Sequence, residues 1–224
     1  MALAIFDLDN TLIAGDSDHA WGDFLVEQGI VDKEIYQKAN DRFYQEYLNG
    51  ELDMMRYLEF SLAPLQNHPV EALHQWRRTF VESKIKPVIL EAAQATVERH
   101  RKNGDFTMII TATNRFITEP IALLFNVDHL IATDLEMRDG QYTGKVSGTP
   151  SFQEGKVSRL QTWLDQNNRT LKGSWFYSDS HNDLPLLKQV DHPVAVDPDE
   201  RLKAHALENH WQLLTFRQAA KDSH

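Results

Sequence analysis

Ala2-Leu3-Ala4-Ile5-Phe6-Asp7-Leu8-Asp9-Asn10-Thr11-Leu12 is the stretch that decides how the chain reads. An apolar run reaches Phe6 and stops abruptly at Asp7. A run this short and this apolar reads as a parallel strand buried on both faces. In open α/β sheets the carboxyl ends of such strands are where ligands bind. Asp7 and Asp9 lie two apart where the strand ends, so both can reach one crevice. Two carboxylates this close repel unless a cation or proton lies between them. Taken alone, the pair could equally be a loop aspartate and a helix-capping aspartate.

Similar apolar runs recur at Phe106–Ile110, Ser174–Tyr177 and Pro193–Val196. Amphipathic helical patterns lie between them, at Val88–Lys102, Arg115–Phe125, Gly155–Gln166 and Leu184–Gln189. This alternation predicts an α/β fold with a Rossmann-like, doubly wound parallel sheet. Asp139-Gly140 is a turn signal, and predicts a small hairpin with arms Thr133–Met137 and Tyr142–Val146. Residues 16–85 break the alternation with helical patterns at Ala20–Gln28, Lys33–Leu48, Asp53–Leu62 and Val70–Ser83. They read as an all-helical insertion, with Lys86-Pro87 marking the return to the core. The core is then residues 1–15 and 86–224, and Ala219–His224 is expected to fray.

The 224 residues carry 33 acidic and 23 basic side chains, a formal charge of −10, and no cysteine. The acid excess argues against a nucleic-acid or anionic-membrane partner, and suits a protein that holds cations. Without cysteine there is no disulfide framework, thiolate metal site or cysteine nucleophile, which fits a reducing cytoplasm. No apolar run approaches the roughly 20 residues of a membrane span. The N-terminus lacks a basic n-region and is not expected to be a signal peptide.

Three further segments fall at predicted strand ends or helix starts. In Thr111-Ala112-Thr113-Asn114, a hydroxyl and free N–H groups can bind phosphate oxygens or simply cap a helix. Gly155-Lys156 opens a helix, where a lone lysine is commonly solvated. Ser178-Asp179-Ser180-His181-Asn182-Asp183 carries two more acids, and such hard oxygen ligands suit Mg²⁺. His181 receives no role.

Together, DLDNT, the threonine of IITAT, the lysine of EGK, and SDSHND resemble the haloacid dehalogenase superfamily of phosphohydrolases, in the family's order. The insertion after the first motif resembles its helical C1-type cap, near the phosphoserine phosphatase subgroup. The resemblance implies that Asp7 is a nucleophile forming an aspartyl-phosphate and that Asp9 is the general acid and base. It implies Mg²⁺ held by Asp7, the backbone carbonyl of Asp9, and Asp179, with Asp183 orienting metal-bound water. Thr111 and Lys156 would hold phosphoryl oxygens, supported by Asn182. An acid two residues after the nucleophile points to phosphoryl transfer rather than dehalogenation.

In phosphoserine phosphatases an acid at the position of Asp16 binds the substrate ammonium; Asp18 adds a second carboxylate. Either acid can instead cap the helix starting near His19. The arginine that holds the substrate carboxylate in that subgroup falls at the register of Ser61, and Tyr57–Gln75 contains no lysine or arginine. The pocket is therefore expected to take an amine-bearing phosphate ester without a carboxylate, with Trp21, Phe43 and Tyr47 either stacking on it or packing the core. Histidinol phosphate fits, and GDSDHAWGDFL and IITATNRF resemble proteobacterial phosphatases of that ester. The competing readings are a phosphoserine phosphatase and a catalytically silent binding module of the same fold.

Overall fold

The computed structural model describes residues 1–217. The chain opens with β1 (Leu3–Phe6) and leaves the sheet for four helices: α1 (Ser17–Glu27), α2 (Lys33–Asn49), α3 (Met54–Asn67) and α4 (Val70–Phe80). A π-helical turn (Val81–Ile85) and a 3₁₀ turn (Lys86–Val88) bring it back. There follow α5 (Glu91–Lys102), β2 (Phe106–Asn114), α6 (Arg115–Phe125) and β3 (His129–Thr133). The hairpin strands β4 (Leu135–Arg138) and β5 (Gln141–Val146) precede α7 (Glu154–Gln166) and β6 (Trp175–Ser178). The chain then forms α8 (Leu184–Leu187), β7 (His192–Val196), α9 (Glu200–Glu208) and β8 (Gln212–Leu214).

Six strands form one parallel sheet in the order β3-β2-β1-β6-β7-β8. The strand order reverses at β1, so the crevice beyond its carboxyl end is the sheet's topological switch point. Alternate residues of β1 feed opposite layers. Ala4 and Phe6 join one buried cluster with Ile109, Tyr177 and Val194. Leu3 and Ile5 join the other with Met108, Ile110 and Phe176. Burial on both faces is why this strand reads as a continuous apolar run.

Two expected elements differ. The structure extends β2 to Asn114, with a register shift against β3 after Ile110, so Thr111 and Thr113 stand on a strand. Thr133 belongs to β3, which pairs with β2, and the hairpin arms are shorter on that side. The apolar part of β3, Leu130-Ile131-Ala132, runs directly into the hairpin, which hid it as a separate element. Asp139 and Gly140 both take positive φ, 49° and 77°, as a type I′ turn requires. The expectation for Ala219–His224 lies outside the described residues.

Between β1 and β2 the described chain forms helices and no strand. The outgoing and returning segments touch: Ala14 N–H donates to the Val88 carbonyl at 2.7 Å, and Leu90 N–H donates to Leu12 at 3.2 Å. These crossings lie beside the carboxyl end of β1 and set the helices above it.

Candidate active site

The parallel register places Phe6 beside Ile109 on one side and Tyr177 on the other. Asp7 N–H continues the ladder, donating to the Tyr177 carbonyl at 2.9 Å. Its carboxylate therefore emerges between the ends of β2 and β6, where Thr111 and Asp179 also emerge.

Lys156 reaches this point from α7. Its Nζ lies 2.7 Å from Asp7 Oδ1 and 2.7 Å from Asp183 Oδ1. Gly155 makes the approach possible: a Cβ there would collide with the Pro150 carbonyl oxygen. Burial alone would lower the Lys156 pKa, but Asp183 and Asp7 outweigh it and hold the ammonium charged. Burial pushes Asp7 up to about 7, against the attraction of Lys156. Asp179 is held well above the usual carboxylate range by burial and by Asp7 and Asp183. It accepts from Thr11 Oγ1 at 3.2 Å. Asp183 also accepts from Ser178 Oγ at 2.7 Å.

Asp9 accepts from the Ser17 N–H at 2.6 Å, Thr113 Oγ1 at 2.9 Å and Thr111 Oγ1 at 3.4 Å. Burial, with Asp16 adding to it, pushes Asp9 up to about 6. A carboxyl poised there can donate and recover a proton near neutral pH.

Asp16, rather than Asp18, is the helix cap: its Oδ1 accepts from the N–H groups of Asp18 and His19 at 2.9 and 2.8 Å. Both acids line the cavity above Asp7, together with Asp9, Thr111, Phe43 and Tyr47. Trp21 does not. It is buried among Phe24, Phe80 and Phe116, so of its two expected roles it takes core packing, and its place as a substrate-binding candidate is corrected. Asn182 is also engaged elsewhere: its Oδ1 accepts from Gln153 at 3.0 Å and its Nδ2 donates to the Tyr47 carbonyl at 3.4 Å. Ser61 is buried and is not among the cavity's lining residues.

Several lining residues escaped the sequence reading. Thr113 stands two residues after Thr111 on the same strand, so strand periodicity places it on the face of Thr111, and the structure brings both to Asp9. Asn40 and Tyr44 line the cavity from α2 beside the expected Phe43 and Tyr47, and the four follow the helical spacing of one face. Tyr57, His19, Leu52 and Met54 also line it, without a signal that separates them from packing residues.

The donor set fits a small divalent cation. Asp183 raises both Asp7 and Asp179, and Asp7 raises Asp179, with Lys156 as the cation paired to Asp7 and Asp183. Among the described residues no three carboxylate or imidazole groups converge as a self-sufficient metal cage. Mg²⁺ commonly takes one or two carboxylates and completes its shell with other oxygens.

A family model for haloacid dehalogenase-like hydrolases matches residues 4–188. The chain belongs to that family. This haloacid dehalogenase-like hydrolase is 46% identical over 219 residues to a histidinol-phosphatase of Neisseria meningitidis serogroup C, covering 96% of this chain and 99% of that protein. A crystal structure of a Bordetella pertussis protein of unknown function superposes with TM-score 0.91 at 43% identity, covering 96% and 99% of the two chains. A phospho-aspartyl intermediate analogue of phosphoserine phosphatase superposes with TM-score 0.71 at 17% identity, covering 99% and 96%, and so shares the fold.

Proposed function

We propose that this hydrolase cleaves histidinol phosphate to histidinol and inorganic phosphate. The observation that carries the proposal is the lining of the cavity above Asp7. Asp16 and Asp18 face it with Phe43, Tyr44, Tyr47 and Tyr57, and none of its lining residues is a lysine or arginine. Such a wall suits a cationic amine and a planar ring, and offers a substrate carboxylate no bidentate partner. The full-length likeness to the Neisseria histidinol-phosphatase supports the same ester.

In this reading residues 16–85 cap a core of residues 1–15 and 86–224, and the substrate sits between them. Asp7 attacks phosphorus as the bond to the alcohol oxygen breaks, giving an aspartyl-phosphate. Asp9 gives its proton to the departing oxygen. It then takes a proton from the water that attacks the aspartyl-phosphate, releasing phosphate and restoring Asp7. Lys156 and Thr111 bind phosphoryl oxygens, and Lys156 offsets the repulsion between the Asp7 carboxylate and the phosphate. Asn182 steadies the site by joining Gln153 to the Tyr47 carbonyl, and Asp16 faces the substrate ammonium. Asp7, Asp179 and the Asp9 carbonyl would hold Mg²⁺, with Asp183 beside them. When bound, the ion supplies charge neutralisation at the phosphate. The likeness to the Neisseria histidinol-phosphatase supports a cytoplasmic enzyme as part of this reading; among the described residues no helix is long and apolar enough to cross a membrane.

Steady-state turnover with Mg²⁺ tests the substrate. Histidinol phosphate is expected to exceed phosphoserine clearly in kcat/KM, and a preference for phosphoserine would overturn the proposal.

A further inference from the structure

Asp16 and Asp18 are not equivalent. Asp16 spends one carboxylate oxygen on two backbone N–H groups at the start of α1. Asp18 is only 9% exposed, lines the cavity, and its Oδ1 accepts no hydrogen bond from the described chain. Tyr57 lines the same cavity, and its hydroxyl offsets part of the burial that raises the Asp18 pKa. A buried, unpartnered carboxylate oxygen is costly unless something bound satisfies it. The aromatic side chains around it lie on two different helices: Phe43 on α2 and Tyr57 on α3, with ring centroids 5.5 Å apart. His19 and Asn40 also line the cavity, and their side-chain donors are engaged elsewhere. Asn40 Nδ2 donates to the His19 carbonyl at 3.0 Å and to Asp23 Oδ1 at 3.3 Å, while the His19 ring pairs with Asp41 and Asp23.

We infer that Asp18, beside Tyr57 on the cavity wall, is the receptor for a ring N–H of a five-membered nitrogen heterocycle on the substrate, separate from the ammonium facing Asp16. The inference deepens the proposed function and rests on it for the identity of the ring. A ring N–H fits better than a second alkyl ammonium, because one planar donor between aromatic walls satisfies a single carboxylate oxygen. An alkyl ammonium would bring two further N–H groups needing acceptors. Asp18 thereby separates ring-bearing from ringless amino-alkyl phosphates, by leaving its own oxygen unpaired when the ring is missing.

Calorimetric binding tests this in the Asp7→Asn background, which cannot form the aspartyl-phosphate. The two ligands are histidinol phosphate and phosphoethanolamine, an ammonium ester without a ring. Adding Asp18→Asn is expected to raise Kd for histidinol phosphate at least tenfold more than Kd for phosphoethanolamine. Tyr57→Phe is expected to move the same ratio several-fold, and serves if the Asp18 variant does not fold. Equal losses on both ligands, no loss, or no binding of histidinol phosphate would overturn the inference. Wild-type turnover of histidinol phosphate is measured in parallel. Asp18-dependent ring binding without turnover would sink the substrate proposal and leave this inference standing.

Discussion

The Lys156 Nζ donates to Asp7 Oδ1 at 2.7 Å, across 149 positions of sequence and with both side chains buried. The same ammonium holds Asp183, so one cation sits between two acids at the end of β1. Removing it strands both carboxylates.

Lys156→Met is therefore expected to lower kcat at least a hundredfold. Breaking a buried ion pair from one side costs about 3–5 kcal/mol. Since burial already pushes Asp7 up to about 7, that cost should shrink as pH falls and Asp7 takes a proton. Chemical denaturation at about pH 8 and about pH 5 checks this; a cost independent of pH would contradict it.

Metal dependence follows from the same acids. Asp7 and Asp18 titrate near 7, and Asp9 and Asp16 near 6, each raised chiefly by burial. The folded chain thus holds more protons than the unfolded chain between about pH 4 and pH 7. Stability from these groups is lost as pH rises through that window. Mg²⁺ at millimolar concentration is expected to raise Tm by several degrees at about pH 8 and much less at about pH 5. Equal shifts at both pH values in differential scanning calorimetry would count against metal binding at ionised Asp7 and Asp179.

Asp9→Asn tests proton transfer to the leaving group. The loss in kcat is expected to exceed about 100-fold on an alkyl phosphate. It should be smaller for formation of the aspartyl-phosphate from p-nitrophenyl phosphate, because nitrophenolate leaves without a proton. A pre-steady-state burst measurement reads that step, and identical losses would exclude Asp9 as the acid.

Thr113→Val removes a 2.9 Å hydrogen bond that lowers the Asp9 pKa. The limb of the pH–rate profile due to Asp9 should therefore move to higher pH, by up to about one unit. A profile that keeps its shape while kcat falls would show that Thr113 acts otherwise.

Gly50 joins α2 to the core edge. It takes φ of 75°, and a Cβ there would lie 2.7 Å from His181 Nε2. Arg201 donates to the neighbouring Asn49 carbonyl at 3.1 Å, and His181 is held by Asp199 at 2.7 Å. Gly50→Ala is expected to cost on the order of 1–2 kcal/mol and to raise KM as the α2 end lifts from His181. Thermal melts and steady-state kinetics check both; an unchanged Tm would argue that the turn is free to move.

While the resemblance of its motifs pointed to the acids of the candidate site, the sequence by itself determined the α/β class, the buried first strand and the helical run after it. These are local properties: periodicity, run length and turn residues act over a few neighbours. The tertiary structure alone decided what those residues do for one another. It brought Lys156 onto Asp7, gave the capping role to Asp16 and left Asp18 facing the cavity. It put Trp21 in the core and Phe43 on the pocket wall, though both are aromatics on amphipathic helices. Such a pattern states that a face is covered but not by what. Sheet register and the path of the returning chain settle that, because they fix which distant side chains share a crevice.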